Sequence, residues 1–294
     1  MESKLTRVYY IYLNKQGGIM SVKDDYKNYI SNSNNIRKIP TGFDKLDNIY
    51  GGGLPTGLTI LGANTGLGKT TFALQLADNI ARQPNTKVLF FSLELNRYEL
   101  LSKTLSRLSY LDNELTSYTP NEFIGNNVED LENYFSKYEA IENNLILIDD
   151  TRSIRGILNL IDNYCSDNTE DKIVVFIDYI QFINCGVGND KQSVDIITRE
   201  LKSLANRYNI SIIGISSLSR EGAKRNDTTS FKESGSIEYT ADYLIIMYDK
   251  EQAKTLSFGE DNNNITLEFL KNRFGCKGQF NLKYYGNYAT FIEI

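Results

Sequence analysis

The stretch TILGANTGLGKTTFALQLADNI, residues 59 to 80, constrains the fold of this chain more than any other part. It reads as a short apolar strand, a glycine-rich turn and a helix. Within it, Ala63, Asn64, Thr65, Gly66, Leu67, Gly68, Lys69 and Thr70, followed by Thr71, fit a phosphate-binding loop: Ala or Gly, four variable residues, Gly-Lys, then Ser or Thr. Such a turn aims backbone N–H groups and a helix N-terminus at phosphate oxygens. Gly66 and Gly68 permit the turn, Lys69 reaches the β- and γ-phosphates, and the Thr70 hydroxyl offers Mg²⁺ a hard oxygen ligand. The first position holds Ala63 where glycine is frequent. The flanks support the reading. Gly57 to Leu61 is β-branched and apolar, and Ala73, Leu76, Ala77 and Ile80 recur at helical spacing. A nucleoside triphosphate with Mg²⁺ is expected there.

With 294 residues and 41% hydrophobic content, the chain can bury one large α/β core plus small extensions. A net charge of −5 argues against a protein that coats nucleic acid with its whole surface, while leaving room for a few basic loops. Histidine is absent from the sequence, which excludes imidazole as base or metal ligand and leaves proton transfer to carboxylates. Cys165, Cys185 and Cys276 are scattered, without Cys-x-x-Cys spacing, and read as reduced fillers. No apolar run approaches the ~20 residues of a membrane span and the polar N-terminus lacks a secretory core, so the expected location is cytoplasmic, with no membrane partner.

Residues 1–38 form an N-terminal arm. It holds a helix candidate from Val22 to Ile30, whose Val22, Tyr26, Tyr29 and Ile30 make an apolar stripe, and a linker from Ser31 to Asn35. Met20 is a second possible start; residues 1–19 are then either upstream of the true start or a small docking arm. Residues 39–294 alternate strand and helix, the pattern of a mostly parallel sheet flanked by helices. Strands are expected at 58–62, 87–92, 145–149, 173–177, 210–215 and 243–248, and helices at 70–82, 97–108, 127–141, 154–164 and 193–208. Gln279 to Tyr284 and Ala289 to Ile294, joined by Tyr285-Gly286-Asn287, read as a C-terminal antiparallel hairpin.

Two strand ends carry the chemistry. Lys87 to Leu93 runs into Glu94, and the carboxyl ends of parallel strands share one edge with the phosphate loop. Glu94 there can orient and deprotonate an attacking water; the alternative is an acid that stabilises the start of the next helix. Ile173 to Ile177 ends in Asp178, the form of acid that holds a magnesium shell. Leu145 to Ile148 ends in Asp149 with the same form, and the residues alone do not choose between them.

The order of segments resembles the C-terminal motor domain of DnaB-type replicative helicases, within the RecA-like ATPase superfamily. The resemblance runs from about Pro40 to Ile294. It covers Pro40-Thr41-Gly42-Phe43 with Leu46-Asp47, the phosphate loop, Ser92-Leu93-Glu94, Ile148-Asp149-Asp150-Thr151, Asp178-Tyr179-Ile180-Gln181, Lys232 to Glu238 with Ala241-Asp242, and Lys271-Asn272-Arg273-Phe274-Gly275. It implies a RecA-like P-loop NTPase fold and favours Asp178 over Asp149 as the magnesium-site acid. Lys271 and Arg273 are implied to reach a neighbouring subunit's nucleotide, in a homo-oligomer expected to be a hexameric ring. Two loops, Asn184 to Gln192 with Lys191, and Arg220 to Ser230 with Lys224 and Arg225, are implied to grip single-stranded DNA, although scattered cations are also ordinary surface. Primase and loader proteins are further implied partners.

The sequence also departs from that pattern. Ser216-Ser217-Leu218-Ser219-Arg220 stands where the family usually has Ser-Gln-Leu-Asn-Arg, removing a glutamine held to link nucleotide state to DNA. Residues 1–38 are too short for the family's N-terminal domain, and the arm's helix candidate takes the place of its linker helix. The expectation is an ATP-dependent DNA helicase and translocase acting in replication. The alternatives are a RecA-, RadA- or KaiC-like ATPase switch or recombination factor, and a non-motor regulator of another helicase.

Overall fold

The computed structural model describes residues 23, 26, 27, 38–218, 234–249 and 262–294. The chain divides into two compact units, Met1–Lys38 and Ile39–Ile294. Of the expected arm helix, Lys23, Tyr26 and Lys27 are described, and they are helical; the rest of the arm lies outside the described residues.

The second unit is built on β1 (Gly57–Ala63), β2 (Thr86–Ser92), β3 (Leu145–Ile148), β4 (Lys172–Asp178), β5 (Ser211–Ser217), β6 (Tyr243–Asp249), β7 (Asn262–Asn272), β8 (Gln279–Tyr285) and β9 (Thr290–Glu293). They form one sheet in the order β3-β2-β4-β5-β1-β6-β7-β8-β9. Pairing is parallel from β3 through β6 and antiparallel from β6 to β9, so the expected α/β sheet and C-terminal hairpin are both present.

The helices are α1 (Asp44–Tyr50), α2 (Lys69–Ala81), α3 (Arg97–Asp112), α4 (Pro120–Ile124), α5 (Leu131–Glu142), α6 (Ile154–Asp167), α7 (Asp190–Tyr208) and α8 (Ser234–Thr240). Strands covered on both faces must be apolar on both, and alternate residues separate cleanly. Val88, Phe90, Val174, Phe176, Ile213 and Ile215 join the core beneath α1 to α5. Leu89, Phe91, Val175, Ile177 and Ile212 join a second core beneath α6 and α7.

Side-chain caps set the helix starts. Asn96 and Glu99 make a reciprocal capping box on α3, and Thr119 and Glu122 make another on α4. Asn189 accepts from the Lys191 N–H, so α7 begins at Asp190. The helix therefore starts before the expected residue 193, and Lys191 sits in its first turn, not in a loop. The expected helix at 127–141 runs from Leu131 to Glu142.

Candidate functional site

Parallel strands bring their carboxyl ends to one edge, and the register fixes which residues meet there. Ser92 lies beside Asp178 and Ala63 beside Ser217. The chain leaves β1 at Ala63, turns through Gly66 at φ 89° and Gly68 at φ 78°, and enters α2 at Lys69. Gly68 is required twice over. Its φ is left-handed, and a Cβ there would lie 2.8 Å from Tyr284 Cζ and 3.0 Å from Phe291 Cζ. Ala63, Leu67 and Thr71 are buried, which seats the loop on the core, while Thr65 and Gly66 are exposed and Asn64, Gly68, Lys69 and Thr70 are half-buried.

Lys69 Nζ donates to Ala63 O at 3.0 Å and to Asn64 O at 3.1 Å, folding the ammonium onto its own loop. Burial lowers its pKa, and the charges of Asp178 and Glu94 oppose that shift. Asp178 is fully buried at the end of β4. Burial pushes its carboxyl up to about 6, the Thr70 hydroxyl and Lys69 pull it back, and Glu94 adds to the rise. Among the described residues, neither of its oxygens has a hydrogen-bond partner of acceptable geometry. A buried carboxylate facing a threonine hydroxyl under a phosphate loop is a hard-oxygen donor set that suits Mg²⁺. Phosphate oxygens and waters complete such a shell.

Glu94 is exposed just beyond β2, close enough for its charge to act on Lys69 and Asp178. It is not the cap of the following helix, because Asn96 and Glu99 satisfy those N–H groups. Asp149 is occupied elsewhere. It ends the edge strand β3, where Arg97 binds it through its guanidinium and its backbone N–H and lowers its pKa. Strands β2, β4 and β5 separate β3 from β1.

Lys271 and Arg273 lie at the opposite end of the sheet. Strand β7 runs antiparallel to β6, so its C-terminus returns to where β1 and β6 begin. There the fully buried Asp242 accepts from the Leu58 N–H at 2.9 Å, from Lys202, and from Arg273 Nη1 at 3.1 Å. Lys271 Nζ donates to Glu238 O at 2.6 Å. The structure thus groups Lys69, Thr70, Glu94 and Asp178 at one edge, and Lys271 and Arg273 at the other.

Of the expected DNA-contacting residues, Lys191 is exposed on the first turn of α7. Arg220, Lys224 and Arg225 lie outside the described residues. The sequence did not single out Asp242 or Lys202 as a pair, nor Gln181 as a bridge between strand ends; these contacts join residues far apart in the chain.

A family described as DnaB-like helicase C terminal domain matches residues 38–293. The replicative DNA helicase DnaB of Geobacillus stearothermophilus is 32% identical over 272 residues, covering 88% of this chain and 57% of that protein. The solved ATPase domain of G40P superposes with a TM-score of 0.79 at 23% identity, over 94% of this chain and all of that one. A solved DnaB-like replicative helicase, studied with its interactions with primase, gives a TM-score of 0.76 at 21% identity, over 100% of this chain and 72% of that one. The chain spans about three-fifths of the length of the curated relatives it matches. Among the described residues, no helix is long and apolar enough to cross a membrane.

Proposed function

The chain belongs to the DnaB-like helicase C terminal domain family, and we propose that it is an ATP-dependent motor that assembles head to tail and moves on single-stranded DNA to separate strands. The division of labour proposed is an arm at 1–38 and a motor at 39–294. The observation that carries this reading is the separation of the two half-sites. From Leu58, beside Asp242, to Ala63, β1 advances about 17 Å at roughly 3.3 Å per residue. Arg273 thus lies too far along the sheet to serve its own phosphate loop, which supports the reading that it serves a neighbouring copy's. A head-to-tail contact that places one end of the sheet against the phosphate-loop edge of the next copy is heterologous, and closes into a ring when its rotation permits. A hexameric ring is the assembly proposed.

In this scheme the loop from Ala63 to Thr71 cradles the nucleotide phosphates, and Lys69 leaves the Ala63 and Asn64 carbonyls for the β- and γ-phosphates. Thr70 and Asp178 would hold Mg²⁺, which would supply charge neutralisation to the phosphates. Glu94 orients and deprotonates the attacking water. The neighbour's Arg273, with Lys271, stabilises charge on the transferring phosphoryl group. Lys191, with Arg220, Lys224 and Arg225, is assigned to the DNA path. Primase is a proposed partner.

Steady-state ATP hydrolysis with Mg²⁺, measured across protein concentration with and without single-stranded DNA, tests the reading. Specific turnover is expected to rise with protein concentration and again with DNA, and a forked duplex to be separated in the same conditions. Turnover indifferent to both would refute the motor and leave an ATPase switch.

A further inference from the structure

We propose that Gln181 is a positioning residue that carries nucleotide occupancy at Lys69 to the strand ends from which the two segments assigned to DNA depart. The inference rests on the motor reading and adds a component to it. After Asp178 the chain makes a 3-10 turn, Ile180–Phe182, before entering the segment that leads to Lys191. From this turn the Gln181 amide reaches across to the end of β5. Its Nε2 donates to Ser216 Oγ at 2.7 Å and to Ser217 O at 3.3 Å, and its Oε1 accepts from the Ser217 N–H at 3.4 Å. One side chain thus clamps two segments: the one leaving β4 three residues after the magnesium-site acid, and the one leaving β5 for residues 219–230.

The β5 end is tied in turn to the phosphate loop. Ser217 is in register with Ala63, and the Leu218 N–H donates to Ala63 O at 3.4 Å. That carbonyl also accepts from Lys69 Nζ at 3.0 Å. Two donors share one oxygen, the charged one at the shorter distance, and the backbone bond is correspondingly long. When Lys69 swings to a phosphate, Ala63 O is left to Leu218 alone and the β5 end is drawn toward the loop. Gln181 makes the β4 turn follow, because its amide holds both Ser216 and Ser217. The result is a two-position element biased by nucleotide at one end and by DNA at the other, which is the physical requirement for coupling.

The test uses the full chain and Gln181→Met, which keeps the side chain's length and removes its hydrogen bonds, with Gln181→Ala alongside. The readouts are kcat and KM for ATP with and without an oligo-dT single strand, and hydrogen exchange with and without Mg²⁺ and a non-hydrolysable ATP analogue. The expected result is a ratio of DNA-stimulated to DNA-free kcat lowered about fivefold or more, with DNA-free kcat and KM within about twofold of the unaltered protein. The analogue should still protect residues 63–71 in Gln181→Met while no longer changing exchange at 184–192 and 218–230. The inference is overturned if Gln181→Met keeps the unaltered ratio, if both turnovers fall by the same factor, or if the exchange changes at both segments survive. Failure of the motor reading is separate: the unaltered protein itself would then hydrolyse ATP without response to DNA, while the exchange arm would still decide the role of Gln181.

Discussion

Arg273→Ala is the perturbation that most directly probes the separated half-sites. In the isolated chain the guanidinium rests on Asp242 at 3.1 Å, with the arginine side chain 55% exposed and the aspartate 1% exposed. The carboxylate is buried, but it keeps the Leu58 N–H and Lys202 when the half-exposed Arg273 is lost, so no uncompensated charge remains and the cost is on the order of 1 kcal/mol. The variant should therefore fold, with little change in its melting temperature. An arginine donated to a phosphoryl-transfer transition state contributes about 10³ to 10⁵ in rate, or roughly 4–7 kcal/mol. That gain exceeds what holds the arginine at rest, so release from Asp242 is no obstacle. Turnover of Arg273→Ala should fall by about three orders of magnitude or more while nucleotide binding persists.

The decisive assay mixes Arg273→Ala with Lys69→Ala, each inactive alone. The first retains an intact phosphate loop, the second an intact arginine. With random assembly around a ring, about a quarter of interfaces combine the two intact halves, so turnover should recover to about a quarter of the unaltered level if interfaces act independently. Recovery no greater than the sum of the separate activities would refute donation between copies. So would an Arg273→Ala protein that keeps more than about a tenth of its turnover on its own.

The remaining predictions concern the acids. Asp178 has a folded pKa raised from 3.8 to about 6, so the folded chain binds this proton more tightly than the unfolded chain. Its penalty on stability is absent below pH 3.8, grows as pH rises through the window to about 6, and is complete above it. Asp178→Asn should accordingly raise the melting temperature of the nucleotide-free protein at pH 7.5, by up to about 3 kcal/mol in stability, and abolish Mg²⁺-dependent hydrolysis; an unchanged or lower melting temperature would refute the buried-carboxylate reading. Asp149→Asn loses only its pairing with the exposed Arg97 and should leave the Mg²⁺ dependence intact. Glu94→Gln should bind nucleotide within a few-fold of the unaltered affinity yet lose about 10² to 10⁴ in hydrolysis, read by equilibrium binding and turnover on one preparation; retained turnover would remove Glu94 as the base.

The parallel strands were legible in the sequence because burial on both faces forces a nearly continuous apolar run. Val88 to Phe91 and Val174 to Ile177 have no polar alternative at any position. Helices long enough to show periodicity were legible for the same reason. By contrast α1, with Leu46 and Tyr50 as its buried residues, is too short to display a period. The start of α7 was misplaced because the capping power of Asn189 depends on backbone geometry, not on composition. Asp149 and Asp178 were indistinguishable by form, since each ends an apolar run. What separates them is sheet order and the guanidinium of Arg97, and both are contacts between residues distant in sequence. Gln181 and Asp242 were hidden by the same cause: a glutamine in a turn and an aspartate before a strand acquire meaning only from Ser216, Ser217, Leu58, Lys202 and Arg273.

Charge balance connects the two ends of the sheet. Lys69 feels the charges of both Asp178 and Glu94, and its ammonium donates to the loop carbonyls of Ala63 and Asn64. Binding a magnesium-nucleoside triphosphate brings about two further negative charges to an edge already holding two carboxylates. In the proposed scheme Lys69 turns to the phosphates, and the edge gains net negative charge. The opposite end of the sheet carries the converse: Lys271 bonded to the backbone carbonyls of Glu238 and Tyr239, and Arg273 sharing Asp242 with Lys202. Two cations at one end thus match the charge that nucleotide adds at the other. In the proposed head-to-tail assembly the nucleotide is then part of the interface, and its hydrolysis weakens the contact that made hydrolysis possible. Such a dependence can drive neighbouring copies through successive states along a strand.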